Sequence, residues 1–493
     1  MTKKSSNARI ISAEWTTRAH VSAMEGEMLI RFAFKNFRSV GSDPMTLEMV
    51  SSAKVRKLKG HVCPSSGGAK VLRNAVVYGG NAAGKSNLVK ALAFMRASVL
   101  AGSLPQEGIG EYCRCGGGLA GEETTFDVQF QVEGSVFDYG FTCVLAELRV
   151  TSEWLYFLGD EPEPIFLREG SDSVSCDALV SAAADADKVR LGVYTEDFLH
   201  EQASSTGSGL LLAYMGKARS FPKESPLSVF RRAFSWFASG VEVIGAGQAA
   251  PSTEYYAESS TLDQVAEVLS SFDTGVSGLR KEEVGMDELE KYVPAEVLLT
   301  LREVLRANAP KRDDEAFVLT VRNDSFFLGV ERTGAGEPRA TILKTRHEGS
   351  LLDFDFHDES DGTKRLFDFM DILFTKSEDK VFVVDELNRS FHPMLTQQLV
   401  SLFNEIHAGD DCQLVFTTHE NDIMSYDYFR RDEIWFVERG EDGTSRLYPL
   451  DDFAADEARS DARLNKKYLE GRYGGVPVIS ASRARAALDL GEA

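Results

Sequence analysis

Disulfide staples, membrane spans, long coiled coils and an excess of positive charge are all missing from this sequence. The six cysteines of the 493-residue chain stand at 63, 113, 115, 143, 176 and 412, too scattered for a disulfide framework. Cys113-Arg114-Cys115 lacks the ligand spacing for zinc, and no second pair completes a site. The longest apolar run, near Leu210 to Met215, is far shorter than the roughly 20 residues of a membrane helix. The opening MTKKSSNARIISAEWTTRAHV has basic residues but no apolar stretch of signal-peptide length. Lysine and arginine total 54 against 76 acidic residues, a net charge of −22. That excludes coating nucleic acid by bulk electrostatics, while leaving room for a local basic patch. No a/d heptad runs through successive helical segments, which excludes a coiled-coil arm. There is no internal repeat and no low-complexity tract. At 43% hydrophobic and 26% charged residues the balance is that of a soluble chain. The expectation is a cytoplasmic protein of two or three lobes with no membrane partner.

What is present is concentrated in Val71 to Leu100. The apolar Ala75-Val76-Val77-Tyr78 runs into Gly79-Gly80-Asn81-Ala82-Ala83-Gly84-Lys85-Ser86, and Leu88, Leu92, Ala93 and Met95 then recur at helical spacing. Strand, glycine loop and helix form the context in which G-x-x-x-x-G-K-[ST] acquires a mechanism. Glycines let backbone N–H groups turn around an anion, and the helix start adds partial positive charge. Lys85 is expected on the β- and γ-phosphates and the Ser86 hydroxyl on Mg²⁺.

Read in order, residues 1–27 look like an appendage. Alternating strands are expected at Met28 to Phe34, Met45 to Met49, Thr125 to Val132, Val136 to Val144, Leu148 to Leu158 and Pro164 to Arg168. Glu133-Gly134 is a hairpin signature between two of them. Helical periodicity follows in Ala178 to Leu191, Leu210 to Lys217, Leu227 to Phe237, Leu262 to Phe272 and Met286 to Asn308. Strands return at Ala316 to Arg322, Phe326 to Val330, Thr341 to Thr345 and Leu351 to Phe356. Lys54, Arg56, Lys57 and Lys59 read either as a solvated loop or as a phosphate-backbone contact.

Two further apolar runs end in polar chemistry. Val381-Phe382-Val383-Val384 leads into Asp385-Glu386, at the strand edge where open α/β sheets bind ligands. Asp385 is expected to hold Mg²⁺, and Glu386 to orient and activate water. Cys412 to Thr418 leads into His419, placed to donate to a γ-phosphate or to serve as a surface cap.

GGNAAGKSN, VFVVDELNRSFHP and FTTHEND, in that order, resemble the P-loop, Walker B and switch histidine of ABC/SMC-head ATPases. MLIRFAFKNFRSV (28–40) is similar to the opening of SMC- and RecF-like heads. ESDGTKR (359–365), RRDEIWF (430–436) and YLEGRYGG (468–475) resemble prokaryotic AAA-type-core ATPases of abortive-infection and other anti-phage operons. The likeness runs from Met28 to about Ile479. It implies an α/β P-loop NTPase with an ABC/SMC-head-like mixed sheet, an antiparallel β subdomain and an inserted helical lobe. The corresponding division is an N-terminal extension at 1–27, a first ATPase part at 28–175, the helical lobe at 176–315 and a second ATPase part at 316–493.

The resemblance further implies ATP hydrolysis at a site shared by two protomers, in a homodimer or higher homo-oligomer. Ser360 and Gly362 match the signature loop that meets the other protomer's γ-phosphate. Asn81 and Arg38 match nucleotide-lining positions, and Asn87 either lines the site or is a plain helix residue. ESDGTKR departs from the transporter LSGGQ form, which speaks against transport. Gln129 and Gln131 fall in a strand and read as structural. The leading expectation is an ATP-driven switch or sensor whose separate effector, a nuclease or toxin, belongs to a defence system. The alternatives are a RecF-type DNA-repair ATPase and a non-hydrolysing scaffold, the latter opposed by Glu386.

Overall fold

The computed structural model describes residues 26–116, 120–217, 219–248, 256, 259–308, 316–323, 325–334, 336–374, 379–453 and 463–476. Residues 1–25 of the expected extension and the end of the resemblance beyond Val476 lie outside that set. Two units are distinguished. Described residues of one fall within Ile244–Ser377 and Arg389–Ile406, those of the other within Met24–Val243, Glu378–Asn388 and His407–Ala493.

The larger unit is built on four runs with little polar alternation, as strands covered on both faces require. Val381–Val384, Gln413–Thr417, Asn74–Gly79 and Ile434–Arg439 lie side by side in that order, all parallel. Val76 therefore sits between Phe416 and Ile434. Val241–Ile244 adds one edge and the antiparallel Ser445–Pro449 the other, making six strands. A second, seven-stranded sheet of the same unit is antiparallel, with Met28–Lys35 between Met45–Glu48 and Thr124–Val132. Thr124–Val132 alternates buried and half-buried side chains along most of its length, the period-2 signal of a sheet with one core face. Glu133 and Gly134 turn the hairpin with φ of 47° and 69°, the paired left-handed geometry of a two-residue turn.

The smaller unit has its own core. Helix Ala295–Ala307 buries Val297, Leu298, Leu301 and Leu305 on one stripe. Its five-stranded sheet includes Val276–Val284, Arg339–His347, Phe327–Thr333 and Ala316–Arg322.

Three sequence expectations need correction. Ala178 to Leu191 is not one helix: Asp177–Ala182 and Asp185–Ala203 are separate, with Ala183 and Ala184 extended between them. Met286 to Asn308 is not one helix: Leu289–Lys291 is a 3-10 turn, and the α-helix starts only after Pro294, whose fixed φ and missing N–H suit a start. Leu351 to Phe356 is not a full strand. Only Phe354–Asp355 pairs with Arg339–His347, and Asp355 then caps the 3-10 turn Phe356–Asp358.

Candidate functional site

The P-loop follows the fully buried strand Asn74–Gly79 and opens the helix Lys85–Ala101. Gly84 has φ +111°, and a Cβ there would lie 2.3 Å from Ser445 Oγ and 2.9 Å from Ser39 Oγ. Those hydroxyls clamp the loop. Ser445 Oγ donates to the Ala83 carbonyl at 2.5 Å and lies 2.6 Å from Ser39 Oγ, which accepts from Asn87 Nδ2 at 2.6 Å. Lys85 Nζ donates to the carbonyls of Gly79 at 2.8 Å and Gly80 at 3.1 Å. Burial pulls its pKa down to about 8, against the opposing charges of Asp385 and Glu386.

Asp385, at the end of its parallel strand, accepts from Ser86 Oγ at 3.1 Å and from Thr417 Oγ1 at 2.6 Å. Thr417 Oγ1 in turn accepts from the Glu386 N–H at 2.8 Å. One hydroxyl thus ties the metal-ligand candidate to the backbone of the base candidate. Glu386 has φ +52°, a left-handed conformation rare for a non-glycine residue, held by its neighbours. His419 Nδ1 lies 3.5 Å from Lys85 Nζ. Partial burial, and then the Lys85 charge, push its pKa below the ordinary value. That favours the neutral ring, in which one nitrogen is an N–H donor and the other an acceptor. Asn388 Oδ1 steadies this corner, accepting from Thr418 Oγ1 at 3.0 Å and the His419 N–H at 3.3 Å. Ser86 and Asp385 converge as hard oxygen donors, the set that suits Mg²⁺.

Gly79, Gly80, Asn81, Ala82, Ala83, Gly84, Lys85, Ser86, Asp385, Glu386 and His419 all fall in the larger unit. Asn81 and Ala82 form an exposed tip, Ala82 with φ +60°. Asn87 fastens Ser39, as above. Arg38 pairs with Glu111 Oε2 at 2.7 Å, and among the described residues no hydrogen bond or ion pair links it to the P-loop. Gln129 and Gln131 bond to Asp138, to Ser66 and to the Gly26 carbonyl, within the antiparallel region. Lys54, Arg56, Lys57 and Lys59 are exposed. Ser360 and Gly362 belong to the smaller unit. Ser360 Oγ accepts from the Thr363 N–H at 3.1 Å and so caps helix Asp361–Phe374. A Cβ on Gly362 would lie 3.0 Å from the Ser390 carbonyl oxygen.

Sequence reasoning assigned no role to Thr417, Asn388, Ser39 or Ser445. Thr417 carried a signal, a hydroxyl at the end of a buried strand just before the histidine; Ser445 carried none. It also assigns no task to RRDEIWF and YLEGRYGG. Glu433 accepts from the Asn74 N–H at 3.3 Å and Asn74 Nδ2 at 3.1 Å, and lies 2.9 Å from His61 Nδ1, anchoring the start of the P-loop strand. At the other end Gly475 packs close: a Cβ there would meet the Gly79 Cα at 3.7 Å. Tyr468 donates to the Gly475 carbonyl at 3.0 Å. RRDEIWF and YLEGRYGG thus brace opposite ends of one strand.

Residues 249–425 match the sequence model of a family described as "AAA domain, putative AbiEii toxin, Type IV TA system". That span holds Ser360, Gly362, Asp385, Glu386 and His419; the P-loop precedes it. No curated protein matches the chain. Among solved structures, the SMC head domain from Thermotoga maritima is similar at 12% identity and TM-score 0.31, over 85% of this chain and 98% of that one. An Smc head domain with an extended coiled coil, bound to the C-terminal domain of ScpA derived from Pyrococcus furiosus, gives 12%, 0.33, 91% and 100%. The recombination mediator protein RecF with ATP gives 14%, 0.32, 87% and 100%. Among the described residues, no helix is long and apolar enough to cross a membrane.

Proposed function

We propose that this chain, whose residues 249–425 match an AAA domain model, binds and hydrolyses ATP as a switch or sensor subunit. Two copies close head to head around nucleotide, and the change of state controls a separate effector in anti-phage defence. The observation that carries the reading is the chain of bonds from Ser86 through Asp385 and Thr417 to Glu386, set beside a glycine loop. The matched family's description, naming a toxin of a toxin–antitoxin system, supports the defence setting.

In this mechanism the loop N–H groups and the Lys85 ammonium hold the β- and γ-phosphates. Mg²⁺, held by Ser86 and Asp385, would neutralise charge on the phosphate oxygens. Glu386 orients a water and takes its proton as the water attacks the γ-phosphorus and the bond to the β–γ bridging oxygen breaks, releasing ADP and phosphate. Neutral His419 donates its N–H to a γ-phosphate oxygen, adjacent to Lys85. Ser360 and the Gly362 N–H of a second copy complete the shell at a helix start.

The test is Glu386→Gln. Turnover should fall by about 10²–10⁴-fold, the range of general-base catalysis, while Mg·ATP affinity holds and an ATP-dependent dimer accumulates in size-exclusion chromatography. A loss under tenfold removes Glu386 from this role, and a monomer at saturating ATP removes head closure. The second reading, a DNA-repair ATPase, rests on the exposed Lys54, Arg56, Lys57 and Lys59. Tight DNA binding at physiological salt that disappears on reversing those charges would establish it instead.

A further inference from the structure

The smaller unit contains a cavity of about 120 Å³ whose lining includes Arg322, Lys364, Arg365 and Arg389, facing Asp361 and Asp368. Its described lining includes neither Ser360 nor Gly362. Arg322 ends the strand Ala316–Arg322, and only 3% of its side chain is exposed. Its guanidinium carbon lies 5.8 Å and 5.9 Å from the ring centres of Phe327 and Phe356. Nη2 is committed to Asp368, which also accepts from Arg365 Nη1 at 3.0 Å. Nη1 is buried and has no hydrogen-bond partner. A buried charged donor left unpaired is costly and needs an acceptor, and the cavity is the polar space beside it.

The surroundings favour an anion. Arg389 enters against Gly247, whose φ of +67° and missing Cβ make room; a Cβ would sit 2.2 Å from Arg389 Nη1. The helix Asp361–Phe374 begins at the cavity wall and presents its positive dipole end there. Asp361 opposes an anion, but Asp368 is already shared by two guanidiniums, so the cations prevail. A space of this size admits a phosphate-sized group.

We infer that this cavity binds one tetrahedral oxyanion, either inorganic phosphate or the terminal phosphoryl group of a nucleotide. Arg322 Nη1 and Arg389 supply charge-assisted bonds, and the described lining contains no P-loop residue. The inference does not depend on the ATPase reading.

The test removes the P-loop's contribution with Lys85→Ala in the full chain and titrates inorganic phosphate by calorimetry. Saturable binding is expected, weakened at least tenfold by adding either Arg389→Ala or Arg322→Gln. Arg389 is exposed, so its variant tests the site even if Arg322→Gln fails to fold. A non-hydrolysable ATP analogue distinguishes the sources. Displacement of the analogue from the Lys85→Ala protein by phosphate identifies a nucleotide's phosphoryl group, and phosphate binding without such displacement identifies the free anion. Absence of phosphate binding in Lys85→Ala, or binding indifferent to Arg389→Ala, overturns the inference.

Discussion

Thr417→Val replaces one hydroxyl by a methyl on a side chain with 0% exposure. It deletes the 2.6 Å bond to Asp385 Oδ1 and strips the Glu386 N–H of its acceptor at 2.8 Å. A bond to a charged group contributes about 1.5–3 kcal/mol, and an orphaned N–H costs about 1–3 kcal/mol. Part of this returns, because Glu386 at φ +52° stores strain of about 1–3 kcal/mol that it is then able to release. The net loss of unfolding free energy should be about 2–4 kcal/mol, readable by denaturant titration. The same relaxation moves the Glu386 carboxylate, so kcat should fall about tenfold or more, each factor of ten being about 1.4 kcal/mol of barrier. ATP affinity should change less than about threefold, because the phosphate contacts of the loop are untouched. Thr417→Ser keeps the hydroxyl and should restore kcat. Steady-state phosphate release and calorimetry on the three proteins decide the matter. A Thr417→Val enzyme with wild-type kcat refutes the reasoning, and so does a Thr417→Ser enzyme as impaired as Thr417→Val, which would assign the effect to methyl packing.

Gly84→Ala should abolish ATP binding in calorimetry and lower the melting temperature, because φ +111° and the 2.3 Å approach to Ser445 Oγ leave no place for a Cβ; retained affinity would disprove the loop geometry. The folded pKa of Lys85, about 8, lies below its ordinary 10.5. The unfolded chain therefore binds more protons between those values, and stability from this group rises with pH across that window. An incoming polyphosphate favours the ammonium, so ATP binding at pH 8 should take up protons and show heats that depend on buffer ionisation enthalpy; buffer-independent heats would exclude this. If Ser360 and Gly362 act across a dimer, mixing Lys85→Ala with Gly362→Arg should recover at most about half the activity per mixed dimer. Mixed dimers confirmed to form with ATP and yet inactive would count against the trans arrangement.

The parts of the site that were legible in the sequence are those whose signal is local. Gly79 to Ser86 declares itself because glycine, lysine and serine must stand at set intervals between a strand and a helix. Asp385 and Glu386 were visible because a run of buried valines ends in two carboxylates. Ser445 was invisible because its meaning lies in Ser39, 406 residues away. The strand Val276–Val284 was missed for a related reason. VSGLRKEEV buries only its two ends and shows no alternation, so it is recruited by pairing with Arg339–His347 and not by its own pattern. The brace formed by YLEGRYGG was noticed as a motif, but its task, closing on Gly79, exists only once the strands are side by side.

The parallel sheet has a consequence for how the protein is made. Ser86 and Asp385 are 299 residues apart, and Asn74 and Glu433 are 359 apart. On a ribosome adding about 5–20 residues per second, the P-loop waits roughly 15–60 s for its carboxylate. The valine strand Asn74–Gly79, buried on both sides in the finished sheet, has neither of its lateral partners during that interval. Nascent chains halted before residue 413 therefore present an unpaired apolar strand and should depend on chaperones. Under the proposed function nucleotide cannot assist them, since the strands carrying Asp385, Glu386 and His419 arrive last.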